Sequence, residues 1–228
     1  MKVAEIYRSV QGEGLLTGTP SVFVRASGCN LRCGFCDTPY ASWSPEGDDL
    51  AVDQIAERVL SWSCPHVVIT GGEPMLFAEL IPLTAALRDA GRHITIETAG
   101  TLHLPVACDL MSISPKLSNS TPAAERAGAW RERHQRSRHV PTVIARLIAE
   151  YQHQLKFVVG TPADADEVLS YLERFRQIDR TRAMLMPEGV DQPTLAAVGQ
   201  WLAPFCQAHG LQFCPRRQIE WFGLMRGT

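Results

Sequence analysis

The sequence predicts an α/β protein whose core is a partial, open parallel β/α barrel of about six strands. Apolar runs of strand length alternate with helical patterns along the 228 residues, and repeated strand–helix–strand units imply parallel strands joined by helical crossovers. Polar motifs follow several strands directly, at the edge where parallel α/β folds carry their chemistry. Because six or seven strands fall short of a closed barrel's eight, a doubly wound open sheet is the second choice.

The order of the elements follows from local patterns. Asp53 is expected to cap one helix, and a second helix is expected over about residues 80–90. Pro162 suits the first position of a third helix, which is expected to reach Arg176, and a fourth ends at about His209. One domain is expected over residues 1–228, with a loop at residues 1–20 and with strands at residues 21–25, 66–70, 93–98, 108–114, 154–159, 183–186 and 211–214.

A polar helical crossover is expected over about residues 121–152, broken near Pro141. It contains an arginine-rich run from Arg126 to Arg138. A solvated crossover is the favoured interpretation, because runs of charge usually face water. A lid, a dimer contact and a docking surface for a reductase are the alternatives.

Composition excludes several classes of function. A net charge of −2 gives no basic footprint for binding nucleic acid. No run of 18 apolar residues predicts a membrane span, and the first residues lack the apolar core of a secretory signal. The seven cysteines are therefore expected to be metal ligands or buried thiols in a reducing cytoplasm.

Three of these cysteines share one loop, "SGCNLRCGFCDTPYASW", which follows the first predicted strand. Cys29, Cys33 and Cys36 have the spacing Cys-x3-Cys-x2-Cys, and thiolates are soft ligands that suit zinc or an iron–sulfur cluster. A [4Fe–4S] cluster held by three cysteines keeps one iron open for the amine and carboxylate of a small molecule. The alternative is a zinc knuckle with a distant fourth ligand, such as Cys64 or a histidine.

This spacing, with the aromatic Phe35 before the last cysteine, resembles the signature of the radical S-adenosylmethionine superfamily. The resemblance implies a [4Fe–4S] cluster whose open iron binds S-adenosylmethionine and whose electron generates a 5′-deoxyadenosyl radical. The motif "TGGEP", from Thr70 to Pro74, supports it, because two glycines at a strand end expose backbone groups that can accept an ammonium.

Longer stretches are similar to the 7-carboxy-7-deazaguanine synthase family. They are "QGEG" and Arg25 before "GCNL", then "CDTPYAS", "ETAG", "SISPK", "LMPEG" and the terminal "WFGLMRGT". The resemblance implies ring contraction of 6-carboxy-5,6,7,8-tetrahydropterin to 7-carboxy-7-deazaguanine with loss of ammonia, in 7-deazapurine (queuosine) biosynthesis. It also implies a magnesium ion, a homodimer and an electron donor such as a flavodoxin.

The resemblance also implies roles for individual residues, although no general acid or base is assigned. Cys29, Cys33 and Cys36 are expected to hold the cluster, and Thr38 to bind magnesium. Thr38 alone would be a turn residue, since a single hydroxyl cannot hold the ion without substrate oxygens. The S-adenosylmethionine site is expected to contain Phe35, Cys36, Asp37, Gly72, Glu97, Ser114, Pro115, Lys116, Met186, Pro187, Glu188 and Gly189.

Substrate contacts are expected at the N-terminal loop and the first strands, from Val10, Gln11, Gly12, Arg25 and Thr70. The guanidinium of Arg25 is a planar fork that suits a carboxylate, and the amide groups of Gln11 and Gly12 suit the edge of a pterin. The alternation of this strand leaves open whether Arg25 faces the site or forms a surface ion pair. Two other functions stay possible: an activating enzyme for a glycyl-radical protein, and a zinc-stabilised binding domain.

Overall fold

The computed structural model describes residues 1–175 and 177–228. Over these residues the strands form one sheet of nine, in the order β3-β1-β2-β4-β5-β6-β7-β8-β9. Its strands are β1 Lys2–Val10, β2 Pro20–Ala26, β3 Asp48–Asp49, β4 His66–Gly71, β5 His93–Thr98, β6 Leu110–Ile113, β7 His153–Val159, β8 Ala183–Pro187 and β9 Gln212–Phe213. From β2 through β4 to β9 every pairing is parallel, so the predicted partial, open parallel β/α barrel is confirmed.

Helices cover the sheet between successive strands. They are α1 Pro39–Ser42, α2 Val52–Leu60, α3 Leu80–Asp89, α4 Ala124–Ala127, α5 Trp130–Ser137, α6 Pro141–Glu150, α7 Pro162–Arg174, α8 Gln192–His209 and α9 Arg217–Phe222. Within the part of the chain that the structure describes, none of them has both the length and the apolar content that a membrane span needs.

The core lies between the helices and the outer face of the parallel strands. Val22 and Val24 of β2 are fully buried there, together with Val67 and Ile69 of β4. Side chains alternate along a strand, so Phe23 and Arg25 point to the opposite, concave face. The structure thereby decides the open question about β2: Arg25 faces the inside of the partial barrel.

The N-terminal segment differs from its prediction. The expected loop at residues 1–20 is mostly strand β1, which pairs antiparallel with β2 and places Glu5 opposite Arg25 and Tyr7 opposite Phe23. Charged side chains at Lys2, Glu5 and Arg8 hide the apolar pattern, and pairing with β2 supplies the strand that local sequence does not indicate. Only the segment between β1 and β2 remains a loop.

Other boundaries shift by a few residues. The N-cap of α2 is Ala51 rather than Asp53, because the side chain of Gln54 accepts a hydrogen bond from the Ala51 amide. The crossover consists of three short helices, and Pro141 begins the last of them. The predicted strand 108–114 is limited to β6. Helix α7 ends at Arg174, and its expected end at Arg176 lies outside the described residues.

Candidate active site

A cavity of about 280 Å³ lies at the carboxyl ends of the parallel strands. Strand register places the polar side chains along it: Arg25 of β2 pairs with Thr70 of β4, and Glu97 of β5 pairs with Ser112 of β6. Ile69 of β4 pairs with Ile96 of β5, and the next residues on these two strands are Thr70 and Glu97, which are therefore neighbours. These side chains form a row across four strands and line the same cavity, as expected for motifs at the carboxyl ends of parallel strands.

The cysteine loop forms one wall of this cavity, and Cys29, Cys33 and Cys36 all line it. Gly28 anchors the loop: its N–H donates to the carbonyl of Ala41 over 2.8 Å, and its carbonyl accepts from the Glu73 amide over 2.8 Å. A Cβ on Gly72 would collide with the carbonyl oxygens of Gly28 and Ala41. The second glycine of "TGGEP" is thus needed for close approach between the end of β4 and the cysteine loop.

Glu73 of the same motif is fully buried and has a structural role. Its carboxylate accepts hydrogen bonds from the Thr98 hydroxyl and the Ala99 amide, both over 2.8 Å, and from the Met75 amide over 3.1 Å. Burial raises the pKa of this carboxyl. Glu73 therefore ties "TGGEP" to "ETAG" at the ends of two neighbouring strands, which explains why both motifs occur together.

The three thiols suit an iron–sulfur cluster better than a single ion. All seven cysteines are free, and burial raises the pKa of Cys29 to about 12 and that of Cys33 to about 11, so the thiolates need a bound cation. Among residues 1–175 and 177–228, no three His, Cys, Asp or Glu side chains are close enough to hold one metal ion. A cluster needs only one thiolate at each of three irons, so the loop fits it.

A buried ionic group forms another part of the cavity wall. The ammonium of Lys156 donates to Glu13 Oε2 over 2.9 Å and to Glu97 Oε1 over 3.0 Å. The two carboxylates raise the pKa of Lys156 even though burial opposes its charge, and Lys156 and Arg216 hold the pKa of Glu13 well below its usual range. Glu97 also accepts from the Thr70 hydroxyl over 2.7 Å and from the Gln11 amide over 3.3 Å.

Arg216 joins three segments that are distant in sequence. Its guanidinium donates to Glu13 Oε1 over 3.2 Å, to the Gly189 carbonyl over 2.8 Å and to the carboxylate of Asp37. The N–H of Arg217 donates to the Gly12 carbonyl, and a Cβ on Gly12 would collide with Gln218. The C-terminal segment therefore closes over "QGEG" and fixes Asp37 of the cysteine loop.

Arg25 is largely buried and partly paired. Its Nε donates to Glu5 Oε1 over 2.6 Å and its Nη2 to the hydroxyl of Tyr7 over 2.7 Å. Tyr40 also donates to Glu5 Oε1, over 2.7 Å. Arg25 is thus held in place by strand β1 while it lines the cavity.

Most of the predicted site residues meet in this cavity, and four do not. Thr38 lines it near Cys36, with its hydroxyl 3.8 Å from the sulfur. Pro115, Pro187, Glu188 and Gly189 lie outside its wall, and Glu188 accepts from Asn119 instead. The predicted residues along the wall are Val10, Gln11, Gly12, Arg25, Cys29, Cys33, Phe35, Cys36, Asp37, Thr38, Thr70, Gly72, Glu97, Ser114, Lys116 and Met186.

Sequence reasoning missed a second group of wall residues. Lys156 could have been predicted from the sequence. It lies within the apolar run "QLKFVV", and a lysine is rare on a buried strand unless it pairs with a carboxylate. Glu13, Tyr40 and Thr228 lie in the stretches "QGEG", "CDTPYAS" and "WFGLMRGT", which carried the resemblance without assigning them a role, because their place in the wall depends on the tertiary fold. The missed group includes Tyr7, Glu13, Tyr40, Lys156, Arg216, Gln218 and Thr228.

The fold and the cysteine loop define a radical S-adenosylmethionine protein, and residues 23–115 match the radical SAM superfamily. This superfamily implies a [4Fe–4S] cluster and S-adenosylmethionine as cofactors. The chain belongs to the 7-carboxy-7-deazaguanine synthase family.

Curated relatives of that name carry the assignment over nearly the whole chain. The relative from Rhodopirellula baltica is 45% identical, over 99% of this chain and 88% of its own length. The relative from Halobacterium salinarum is 42% identical, over 96% of this chain and 89% of its own length. The crystal structure of QueE from Escherichia coli, 23% identical, matches with a TM-score of 0.68 over 95% of this chain and 93% of that one, which supports the fold.

Proposed function

We propose that this chain catalyses the radical-mediated ring contraction of 6-carboxy-5,6,7,8-tetrahydropterin to 7-carboxy-7-deazaguanine, with loss of ammonia. One observation carries the proposal: the cysteine loop and the row from Arg25 to Ser112 line one and the same cavity. Full-length similarity to relatives named 7-carboxy-7-deazaguanine synthase supports the choice of reaction. The glycyl-radical activating enzyme is less favoured, because its large protein substrate would not need this enclosed polar wall.

The chain's own residues are assigned to binding and orientation. Arg25 is proposed to receive the substrate carboxylate, since its guanidinium is preorganised by Glu5 and Tyr7. Gln11, Thr70 and Glu97 form a connected set of donors and acceptors that suits the pterin edge. Lys156 keeps the Glu97 carboxylate in place. When bound, the cluster and S-adenosylmethionine supply the radical that removes hydrogen from C6 of the pterin.

S-adenosylmethionine is proposed to lie between the cysteine loop and the ends of β4, β6 and β8. Gly72 would offer backbone groups to its ammonium, and Lys116, which donates to the Ser114 hydroxyl over 2.7 Å, would face its carboxylate. Phe35, Asp37 and Met186 would complete the pocket. Pro115, Pro187, Glu188 and Gly189 are proposed to shape this region from behind the wall.

Magnesium is proposed to bind at Thr38, which lines the cavity with its hydroxyl 3.8 Å from the sulfur of Cys36. A hydroxyl is a weak ligand, so oxygens of the substrate and water must complete the octahedral shell. The chain is further proposed to form a homodimer, to take electrons from a donor such as a flavodoxin, and to work in the cytoplasm, where its seven free thiols remain reduced.

Anaerobic turnover tests the proposal. The reconstituted, reduced protein is incubated with S-adenosylmethionine, magnesium and 6-carboxy-5,6,7,8-tetrahydropterin, and products are identified by mass spectrometry. We expect 7-carboxy-7-deazaguanine without net consumption of S-adenosylmethionine. Formation of 5′-deoxyadenosine with the pterin left intact would contradict the proposed substrate, and a colourless protein with stoichiometric zinc would contradict the cluster.

A further inference from the structure

The arginine-rich run of the crossover forms an exposed positive surface. Residues 124–138 contain five arginines and two glutamates, in a chain whose net charge is −2. Arg126, Arg131, Arg133 and Arg136 are exposed, and within residues 1–175 and 177–228 none of the four forms an ion pair with a carboxylate. We name these four residues the arginine face. Unpaired guanidinium groups clustered in one place create a local positive potential.

The arginine face contacts the cysteine loop through Arg126. The guanidinium of Arg126 donates to the carbonyl of Gly34 over 3.4 Å, and the Gly34 amide donates to Ser120 over 2.9 Å. The buried His134 of helix α5 accepts from the Arg32 amide over 3.2 Å. The loop therefore has its thiols toward the cavity and its backbone toward the arginines.

Two tryptophans connect the loop to this surface. The indole of Trp43 donates to the carbonyl of Cys33 over 3.1 Å, and Arg126 lies over its ring at 4.0 Å from the centroid. Trp130 has Arg32 at 4.1 Å and Arg133 at 4.4 Å from its ring centroid. Stacking holds these guanidinium groups in fixed positions, and Trp43 places a half-buried aromatic ring one hydrogen bond from a cluster ligand.

We propose that the arginine face docks a small acidic one-electron carrier protein, of which a flavodoxin is the type, above Gly34 and Trp43. This rests on the proposed function, because the reaction requires the delivery of one electron to the cluster held by the loop. The donor flavin hydroquinone loses one electron and becomes a semiquinone, the cluster gains that electron, and no bond or proton changes place. Opposite charges speed encounter and fix orientation at such an interface.

The position of the face selects an electron carrier over a nucleic acid. Arg126 contacts the backbone of the cluster loop, Arg133 stacks on Trp130 together with Arg32 of that loop, and none of the four arginines lines the substrate cavity. A nucleic acid would have no functional reason to bind next to Cys33 and Trp43. An electron carrier would, because electron transfer is faster over a shorter path to the cluster.

Binding of an oxidised flavodoxin to the anaerobically reconstituted holoenzyme tests the proposal without turnover. The variant Arg133→Glu/Arg136→Glu reverses two charges that lie on one side of α5 and make no hydrogen bonds within the described residues. We expect its Kd to rise by about tenfold at low salt and its dependence on salt to weaken. The matched control is Arg58→Glu/Arg88→Glu, which makes the same change in net charge on exposed positions of α2 and α3.

Two further measurements separate the outcomes. Turnover driven by dithionite should be unchanged in Arg133→Glu/Arg136→Glu, while turnover driven by reduced flavodoxin falls. Equal Kd values for the two double variants, or equal competition by duplex DNA, would overturn the docking proposal. If wild-type turnover fails with dithionite while the flavodoxin still binds through the arginine face, the proposed reaction is wrong and the docking surface stands.

Discussion

Lys156 places its ammonium 3.0 Å from Oε1 of Glu97, although the two residues are 59 positions apart in the chain. The same ammonium reaches Glu13 over 2.9 Å, and its side chain is almost completely buried. When one member of a buried ionic group is removed, the remaining charges stay buried without a partner. This destabilises the fold by more than the intact group stabilises it relative to apolar residues of similar size. Lys156 is therefore the cation that Glu13 and Glu97 share, while Glu13 also pairs with Arg216.

Replacement of Lys156 by methionine should lower both stability and substrate affinity. We expect the free energy of unfolding to fall by about 3–5 kcal/mol, because two carboxylates lose their shared cation. Lys156→Arg should recover part of the loss. Chemical denaturation and pterin titration measure the two effects. The control is Lys2→Met, since the Lys2 ammonium donates to the Pro45 carbonyl and forms no ion pair within residues 1–175 and 177–228; an equally large effect there would contradict the role of Lys156.

Glu13 should make the stability of the cluster-free chain depend on pH in the acid range. Its folded-state pKa lies below the ordinary value of 4.5 because of Lys156 and Arg216. Its contribution is therefore complete above the unfolded pKa and is lost as pH falls below about 4.5. Thermal unfolding from pH 7 to 3 should give a smaller decrease in Tm for Glu13→Gln than for the wild type. Glu57→Gln, on the exposed surface of α2, should retain the wild-type slope.

Replacement of Arg25 by alanine should weaken binding of the carboxylated pterin by at least about tenfold, because a charge-assisted contact is lost. Uncoupled cleavage of S-adenosylmethionine should persist, since Arg25 is proposed to contact the substrate and is not among the residues proposed to bind S-adenosylmethionine. Isothermal titration and assay of 5′-deoxyadenosine distinguish the two effects. A pterin lacking the carboxylate serves as control: it should bind wild type and Arg25→Ala alike. Unchanged affinity for the carboxylated pterin would remove Arg25 from the substrate site.

Thr38 should determine the response to magnesium. Thr38→Ala should reduce the stimulation of turnover by magnesium, because the protein loses its only proposed oxygen ligand to the ion. Thr38→Ser keeps a hydroxyl and should respond nearly as the wild type does. Initial rates over a range of magnesium concentrations measure this, and identical curves for alanine and serine would place the ion elsewhere.

Cys33→Ala should lose the cluster and the activity together, because the loop then supplies only two thiolates. The measurement is iron content with the visible absorbance of anaerobically purified protein. Cys206→Ala is the matched control: Cys206 is a buried thiol of helix α8 outside the cavity, and its variant should keep a full cluster. A Cys33→Ala protein with a full cluster would show that another residue is the third ligand.

Local sequence determined the parts of this site whose residues are neighbours in the chain. Cys29, Cys33 and Cys36 lie within one loop, whose spacing indicates a metal site and whose resemblance to the radical S-adenosylmethionine signature implies the cluster. "TGGEP" and "ETAG" follow apolar runs, so the strand pattern predicts that they share one edge of the sheet. The same reasoning predicted the parallel sheet, because buried parallel strands are continuous apolar runs with helices between them.

Tertiary structure decided the rest. Strand β1 exists because β2 pairs with it, which no local pattern indicates. Lys156, Arg216 and Glu13 meet only because sheet register and the closing C-terminal segment bring positions 13, 156 and 216 together. Their charges are stable in a buried wall only when they compensate one another. That compensation depends on the distances in space between residues that lie far apart in the sequence. Spacing along the chain determines a ligand loop, whereas packing determines which charges face it.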